Sequence, residues 1–221
     1  MIEIVPLGNQ TAALYLTRPE KRNALNTPLL EALIRALCQF DRATKTIIIL
    51  GKGHDFCTGM DLNELIDPQK NTLQLMREAI KTMQSLPQIT IACVNGRAWG
   101  GGAGLALAAD FLLMEETSSL AFPEVQKGLV PAIVSVLLKD KVSMQTLKEL
   151  LLLSSPLTDT EAVDKSIAHM SVKKGRLLLE AENIAKQICL ADVSALQQTK
   201  KLIHDLYQTE IAFLMAEKIH E

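Results

Sequence analysis

The sequence predicts an α/β fold, and three observations carry that prediction. Apolar strand-like runs alternate with amphipathic helix-like ones, glycine-bearing turns sit where strands give way to helices, and the last third reads as mainly helix. Residues 2–7 and 11–17 are short apolar-rich runs separated by Gly8-Asn9-Gln10, the pattern of a β-hairpin. After the break at Arg18-Pro19-Glu20-Lys21, residues 28–40 place Leu29, Leu30, Leu33, Ile34, Leu37 and Phe40 on one helix face. Thr27 is the expected N-cap there, with Pro28 in the first turn. Residues 46–50 read as a buried strand stopped by Gly51, residues 73–86 as a helix ended by Pro87, and residues 89–94 as a further strand before Asn95-Gly96.

The helix expected after Gly102 is rich in small residues (Ala103, Gly104, Ala106, Ala108, Ala109), which let it lie close to its neighbours. Strand character resumes over residues 111–114, and beyond Pro123 and Pro131 the chain becomes almost wholly helical. Residues 147–153 read as buried helix. Thr158-Asp159-Thr160-Glu161 has capping-box form, a hydroxyl at the cap and a glutamate three residues on. Residues 176–188 and 193–219 are further amphipathic segments. With no internal repeat or linker, we expect a core over residues 1–140 and a helical region over 141–221 that packs on the sheet or on a neighbouring subunit.

A chain of 221 residues with an apolar fraction of 48% can bury a sizeable core. Its 23 basic and 25 acidic residues leave a net charge of −2, and no window gathers Lys and Arg into a stripe, so nucleic acid is not an expected partner. Cys38, Cys57, Cys93 and Cys189 follow no C-x-x-C spacing, which argues against a disulfide framework or zinc site and points to the reducing cytoplasm. Residues 1–5 lack the pattern of a secretory signal. The most apolar long window, residues 89–114, is interrupted by Asn95, Arg97 and Asp110, against a membrane span.

Two glycine turns carry the chemical interest: Phe56-Cys57-Thr58-Gly59-Met60-Asp61 and Trp99-Gly100-Gly101-Gly102-Ala103-Gly104. The first amides of a helix have no internal partner and carry the positive end of its dipole, so two such turns brought together can hold a developing oxyanion. The competing readings of the second turn fail on spacing. A dinucleotide fingerprint counted from Gly102 would need glycine where Leu107 stands, and no Gly-Lys-Ser/Thr follows for a P-loop. A tight turn for close helix packing is the bland alternative.

Glu124, in Phe122-Pro123-Glu124-Val125, is flanked by apolar residues, which would raise its pKa toward the range useful for proton transfer. Local sequence alone favours a surface glutamate on a loop. Asp61 and Asp110 sit at element boundaries where short carboxylates cap or pair. His54 and Cys57 lack the further ligands a metal would need, and His169, His204 and His220 have no companion motif. Cys57 reads as a packed apolar cysteine rather than a nucleophile.

Taken in order, R-P-E-K-R-N-A-L-N over residues 18–26, F-C-T-G-M-D-L over 56–62, N-G-R-A-W-G-G-G-A-G-L-A-L-A-A-D over 95–110 and F-P-E-V-Q-K-G-L-V-P over 122–131 resemble the crotonase superfamily, the enoyl-CoA hydratases and isomerases. The resemblance implies a spiral of repeated β-β-α units with a helical C-terminal part, assembled as trimers or hexamers. It implies a thioester of CoA or pantetheine as substrate, with no metal or redox cofactor. It places the oxyanion-holding amides on Met60 and Gly101 and a catalytic carboxylate on Glu124. The CoA moiety would meet Arg22 and Ala24, with Thr58, Gly59, Asp61, Leu62, Trp99, Gly102 and Pro123 around the thioester and acyl group. Lys21 and Arg22 would add charge attraction to the phosphates.

Hydratases of the family carry a second glutamate, which here aligns with Gly104. Water addition is served by two carboxylates, whereas shifting a double bond needs one base that removes a proton and returns it elsewhere. Isomerisation is therefore the expected reaction. Hydration or dehydration by Glu124 alone, thioester decarboxylation using only the oxyanion site, and a non-catalytic acyl-CoA-binding subunit are the alternatives. Pro131-Ala132-Ile133-Val134-Ser135 departs from the family's usual P-G-A-G-G, a form expected with branched or unusual acyl groups, and Trp99 is expected to narrow the acyl pocket. The chain also ends near the helix containing Lys200 and Lys201. A segment completing the CoA site would then be missing or come from a partner chain.

Overall fold

The computed structural model describes residues 1–65 and 71–216. The chain opens with β1 (Ile2–Gly8) and β2 (Thr11–Leu16), an antiparallel hairpin. Asn9 and Gln10 both take left-handed φ at its turn. Then come α1 (Thr27–Cys38), β3 (Thr46–Gly51), the short α2 (Leu62–Leu65), α3 (Thr72–Ser85) and β4 (Ile89–Val94). After β5 (Arg97–Trp99) and α4 (Gly101–Ala108) follow β6 (Phe111–Glu115), β7 (Ser119–Ala121), α5 (Ala132–Leu138) and α6 (Met144–Lys148). The chain continues with β8 (Leu157–Thr158), α7 (Asp159–Asp164), β9 (Met170–Val172), α8 (Leu177–Cys189) and α9 (Val193–Ala216).

The main sheet has the order β1-β2-β3-β4-β6-β9 and is parallel from β2 onward. Its inner strands β2, β3, β4 and β6 are mostly apolar on both faces, as a sheet covered on both sides requires. The two-residue period assigns them to two cores. Leu14, Leu16, Ile47, Ile49, Ala92, Val94, Leu112 and Met114 pack with residues of α1, α3 and α4. The intervening Ala13, Ile48, Leu50, Ile91, Cys93 and Leu113 pack on the other side with Leu177 and Ala181 of α8.

A second sheet, β5-β7-β8, was not expected from the sequence, because two- and three-residue strands are too short to show a period. It also means that the chain beyond Pro131 is not wholly helical: β8 joins this sheet and β9 forms the edge of the main one. The helical segment expected over 147–153 differs too. Glu149–Leu153 forms a π turn after α6, burying Leu150 and Leu151 while Leu152 and Leu153 face solvent. Asn26, not Thr27, caps α1: its Oδ1 accepts from the Leu29 amide at 3.1 Å, and Thr27 is the first helical residue. The capping box at Thr158 and Glu161 is present. Residues 217–219 of the expected last helix lie outside the described residues.

Candidate active site

The second sheet extends into a ribbon that assembles the site. The amide of Leu25 donates to the oxygen of Gly59 and that of Asp61 to the oxygen of Leu25, both at 2.8 Å. One step further on, the Cys57 amide donates to Arg97 O and the Trp99 amide to Cys57 O, each at 3.0 Å. β5 then pairs with β7 in parallel, Trp99 opposite Ala121, and the Gly100 amide donates to Ala121 O at 2.8 Å. Three distant segments, residues 22–25, 56–61 and 97–101, thus lie side by side with the approach to Glu124. Each hydrogen bond that builds the ribbon is main chain, so the sequence motifs show only the residues left over.

Successive amides of an extended segment face opposite ways. Since Gly59 and Asp61 bond toward Leu25, the N–H of Met60 faces away from it. The amide of Gly101 opens α4, where first-turn amides have no helical acceptor. The two turns are in contact: a Cβ placed on Gly59 would sit 3.5 Å from the nitrogen of Gly101 and 2.8 Å from the carbonyl oxygen of Trp99. Gly59 has φ +100°, so both backbone conformation and space demand glycine. A Cβ on Gly102 would run into the carbonyl oxygen of Cys57, which fixes how closely α4 lies on the first turn.

Glu124 follows Phe122 and Pro123 out of β7 and opens a short 3₁₀ turn, its carbonyl accepting from the amides of Lys127 and Leu129 at 2.9 Å. The side chain folds against the second turn: a Cβ on Gly100 would lie 3.3 Å from Oε1 of Glu124. Oε2 is buried and has no hydrogen-bond partner among the described residues. Burial raises the carboxyl's pKa above its ordinary value, and the nearby Lys127 charge only partly opposes this. A buried carboxylate oxygen without a donor is costly unless a ligand proton comes to meet it.

At Gly104, one turn into α4, an added Cβ would meet Met76 Cε at 3.3 Å, Val134 Cγ1 at 3.5 Å and Ile80 Cδ1 at 3.8 Å. The surroundings are apolar, with no polar group among those neighbours to orient water.

The remaining residues singled out in the sequence fall around this ribbon. Arg22 and Lys21 are exposed and Ala24 is half-buried. The Thr58 amide donates to Arg22 O at 3.2 Å, and Leu62 lies exposed at the start of α2. Trp99 lies on the same face of β5 as Arg97, its indole N–H donating to Ser119 Oγ at 3.1 Å. The Arg97 guanidinium stands 5.4 Å from the ring centroid and pairs with Asp55. Asp61 pairs with Arg18 at 2.8 Å, and Asp110 accepts from Thr90 and Lys200, the pairing roles expected of both. Burial pushes the Cys57 thiol up to about 12, leaving it protonated at neutral pH. Among the described residues no cluster of His, Cys, Asp and Glu is placed to hold a metal, and no helix is long and apolar enough to cross a membrane.

Sequence reasoning placed Arg18 in the first motif but gave it no role, because its partner Asp61 lies 43 residues away in the chain. It also missed β5 and β7, whose register delivers Glu124 to Gly100.

Known proteins share this sequence pattern and fold. Residues 8–219 match the enoyl-CoA hydratase/isomerase family. An enoyl-CoA isomerase/hydratase of Mycosarcoma maydis is 31% identical over 215 residues, covering 90% of this chain and 78% of that one. An enoyl-CoA hydratase of Alternaria alternata is 34% identical over 172 residues, covering 70% of this chain and 58% of the relative's length. The crystal structure of an enoyl-CoA hydratase from Bacillus anthracis superposes with a TM-score of 0.88 at 26% identity, covering 98% of this chain and 88% of the other. With the fold matched across nearly its whole length and the glycine turns set beside a half-buried carboxylate, this chain belongs to the enoyl-CoA hydratase/isomerase family, the crotonase fold of acyl-CoA enzymes.

Proposed function

We propose that the chain is an enoyl-CoA double-bond isomerase. The amides of Met60 and Gly101 hold the thioester oxygen while Glu124 moves the proton. The ionised Glu124 takes a proton from the carbon between the thioester and the double bond, and the electron pair passes into an enolate held at the two amides. The acid so formed returns its proton to the far carbon of the former double bond. Arg22 and Ala24 meet the nucleotide end of CoA, and no metal or redox group is called on.

The observation that carries this reading is the pairing of one buried, unpartnered carboxylate oxygen at Glu124 with apolar surroundings at Gly104. A single sheltered base suits proton return; positioning a water would want a second polar group. The similarity to an enoyl-CoA hydratase of Alternaria alternata favours a second reading, hydration, for which Glu124 would have to act alone. Turnover of a 3-enoyl-CoA separates the two. Glu124→Gln should lower the double-bond shift by about 10²–10⁴-fold while CoA-thioester affinity persists. Water addition to a 2-enoyl-CoA that outpaces the shift would overturn isomerisation in favour of hydration. Binding without turnover on 2-enoyl, 3-enoyl and malonyl-type thioesters would favour a non-catalytic subunit.

For assembly we propose a homotrimer or a pair of trimers. Its support is α9, whose Leu202, Ile203 and Leu206 face solvent in the single chain.

A further inference from the structure

We infer that Arg18 is a positioning residue that couples occupancy of the nucleotide end of the site to the aim of the Met60 amide; this rests on the proposed reading of the two turns. One guanidinium nitrogen, Nη1, spans both segments: it donates to the carbonyl of Ala24 at 2.9 Å and to Oδ2 of Asp61 at 2.8 Å. Ala24 lies in the segment assigned to CoA, and Asp61 directly follows Met60. Both charged side chains are largely buried, with 13% and 16% of their surface exposed, so the pair is less screened than one at the surface.

The rest of the Arg18 turn is anchored. Its amide donates to Asn23 Oδ1, and the Asn23 amide donates back to Arg18 O, each at 2.9 Å. Asn23 is fully buried, and its Nδ2 donates to Lys52 O at 3.0 Å and Asp55 O at 2.8 Å. Arg22 and Asn23 both adopt left-handed φ, +53° and +55°, a backbone arrangement that these anchors sustain. The turn is therefore fixed at its base, and the Ala24 carbonyl reaches Asp61 through one guanidinium nitrogen. A ligand that bears on the Ala24 carbonyl bears on Asp61 through Arg18, and with it on the adjoining Met60 peptide. Binding energy from the non-reacting end of the substrate is in this way realised at the reacting carbonyl.

The test compares a 3-enoyl-CoA with the matching 3-enoyl-pantetheine, which lacks the nucleotide. The parent protein should turn over the CoA thioester with a kcat at least tenfold above that of the pantetheine thioester. Arg18→Gln and Asp61→Asn should each bring that kcat ratio close to one, with KM for the CoA thioester changed less than about threefold. The double variant should do no more than either single one. Arg18→Lys, which keeps the charge but not the planar fork, should fall between. Thermal melting checks folding, and Asp61→Asn carries the same test should Arg18→Gln fail to fold. Equal kcat for the two thioesters in the parent, or a ratio unaltered in the variants, overturns the coupling alone. Absence of any turnover by the parent refutes the isomerase reading and the coupling together.

Discussion

Glu124 has to be charged to take a proton, yet its surroundings favour the neutral acid. Because burial raises its pKa, kcat/KM for double-bond shift should climb with pH through a midpoint above the ordinary glutamate value of 4.5 and then level off. The same shift links to stability. A carboxyl whose folded pKa lies above its unfolded value stabilises the fold fully below the unfolded pKa, and that contribution is lost as pH rises through the folded one. Glu124→Gln should therefore melt at a higher temperature than the parent at pH 7, with the gap closing below about pH 4.5. A variant that melts lower at pH 7 would mean that the buried carboxylate has a stabilising partner. Position 124 would in that case trade stability for chemistry in the opposite sense from the one argued here.

At the scale of elements, the long periodic segments were legible and the devices that join them were not. Strands β3 and β4 and helices α1 and α3 showed in the sequence because enough residues repeat to define a face. The Thr158 capping box showed because its partners lie three residues apart. Strands β5, β7 and β8 left no such trace, since their order comes from main-chain bonds to remote partners such as Cys57 and Ala121. Local sequence alone placed Glu124 on a surface loop for the same reason: its burial depends on the register of β7 against β5. The two glycine turns were legible as turns, and the structure adds why glycine stands in the first. Gly59→Ala must relieve both a left-handed φ and a contact with the Trp99 carbonyl by moving the turn. We expect kcat to fall by about 10²-fold, the scale of losing one oxyanion donor, with CoA affinity changed far less. Steady-state kinetics and isothermal titration read the two effects separately.

Across the whole molecule, α8 is attached to the sheet by its apolar face, whereas the end of α8 and the first part of α9 are attached by polar contacts. Just before β3, Lys45 Nζ donates to the carbonyls of Cys189 and Ala191 at the end of α8, and Lys200 Nζ donates to Asp110 Oδ2 and Gln88 O at 2.7 Å. Those contacts fix where α9 starts while leaving Leu202 and Leu206 outward. Leu202→Glu with Leu206→Glu should reduce the sedimenting mass toward that of one chain; an unchanged mass would move the subunit contact elsewhere. The sheet also divides the interior into two cores, and the residues proposed for chemistry all lie on the ribbon outside the one packed by α8. Leu113→Ala, in that α8 core, should cost about 2–5 kcal/mol of stability while kcat per folded molecule stays the same. Genetic variation is therefore partitioned by the sheet. Changes under α8 set how many working copies a cell holds, and changes on the ribbon side set how well each copy works.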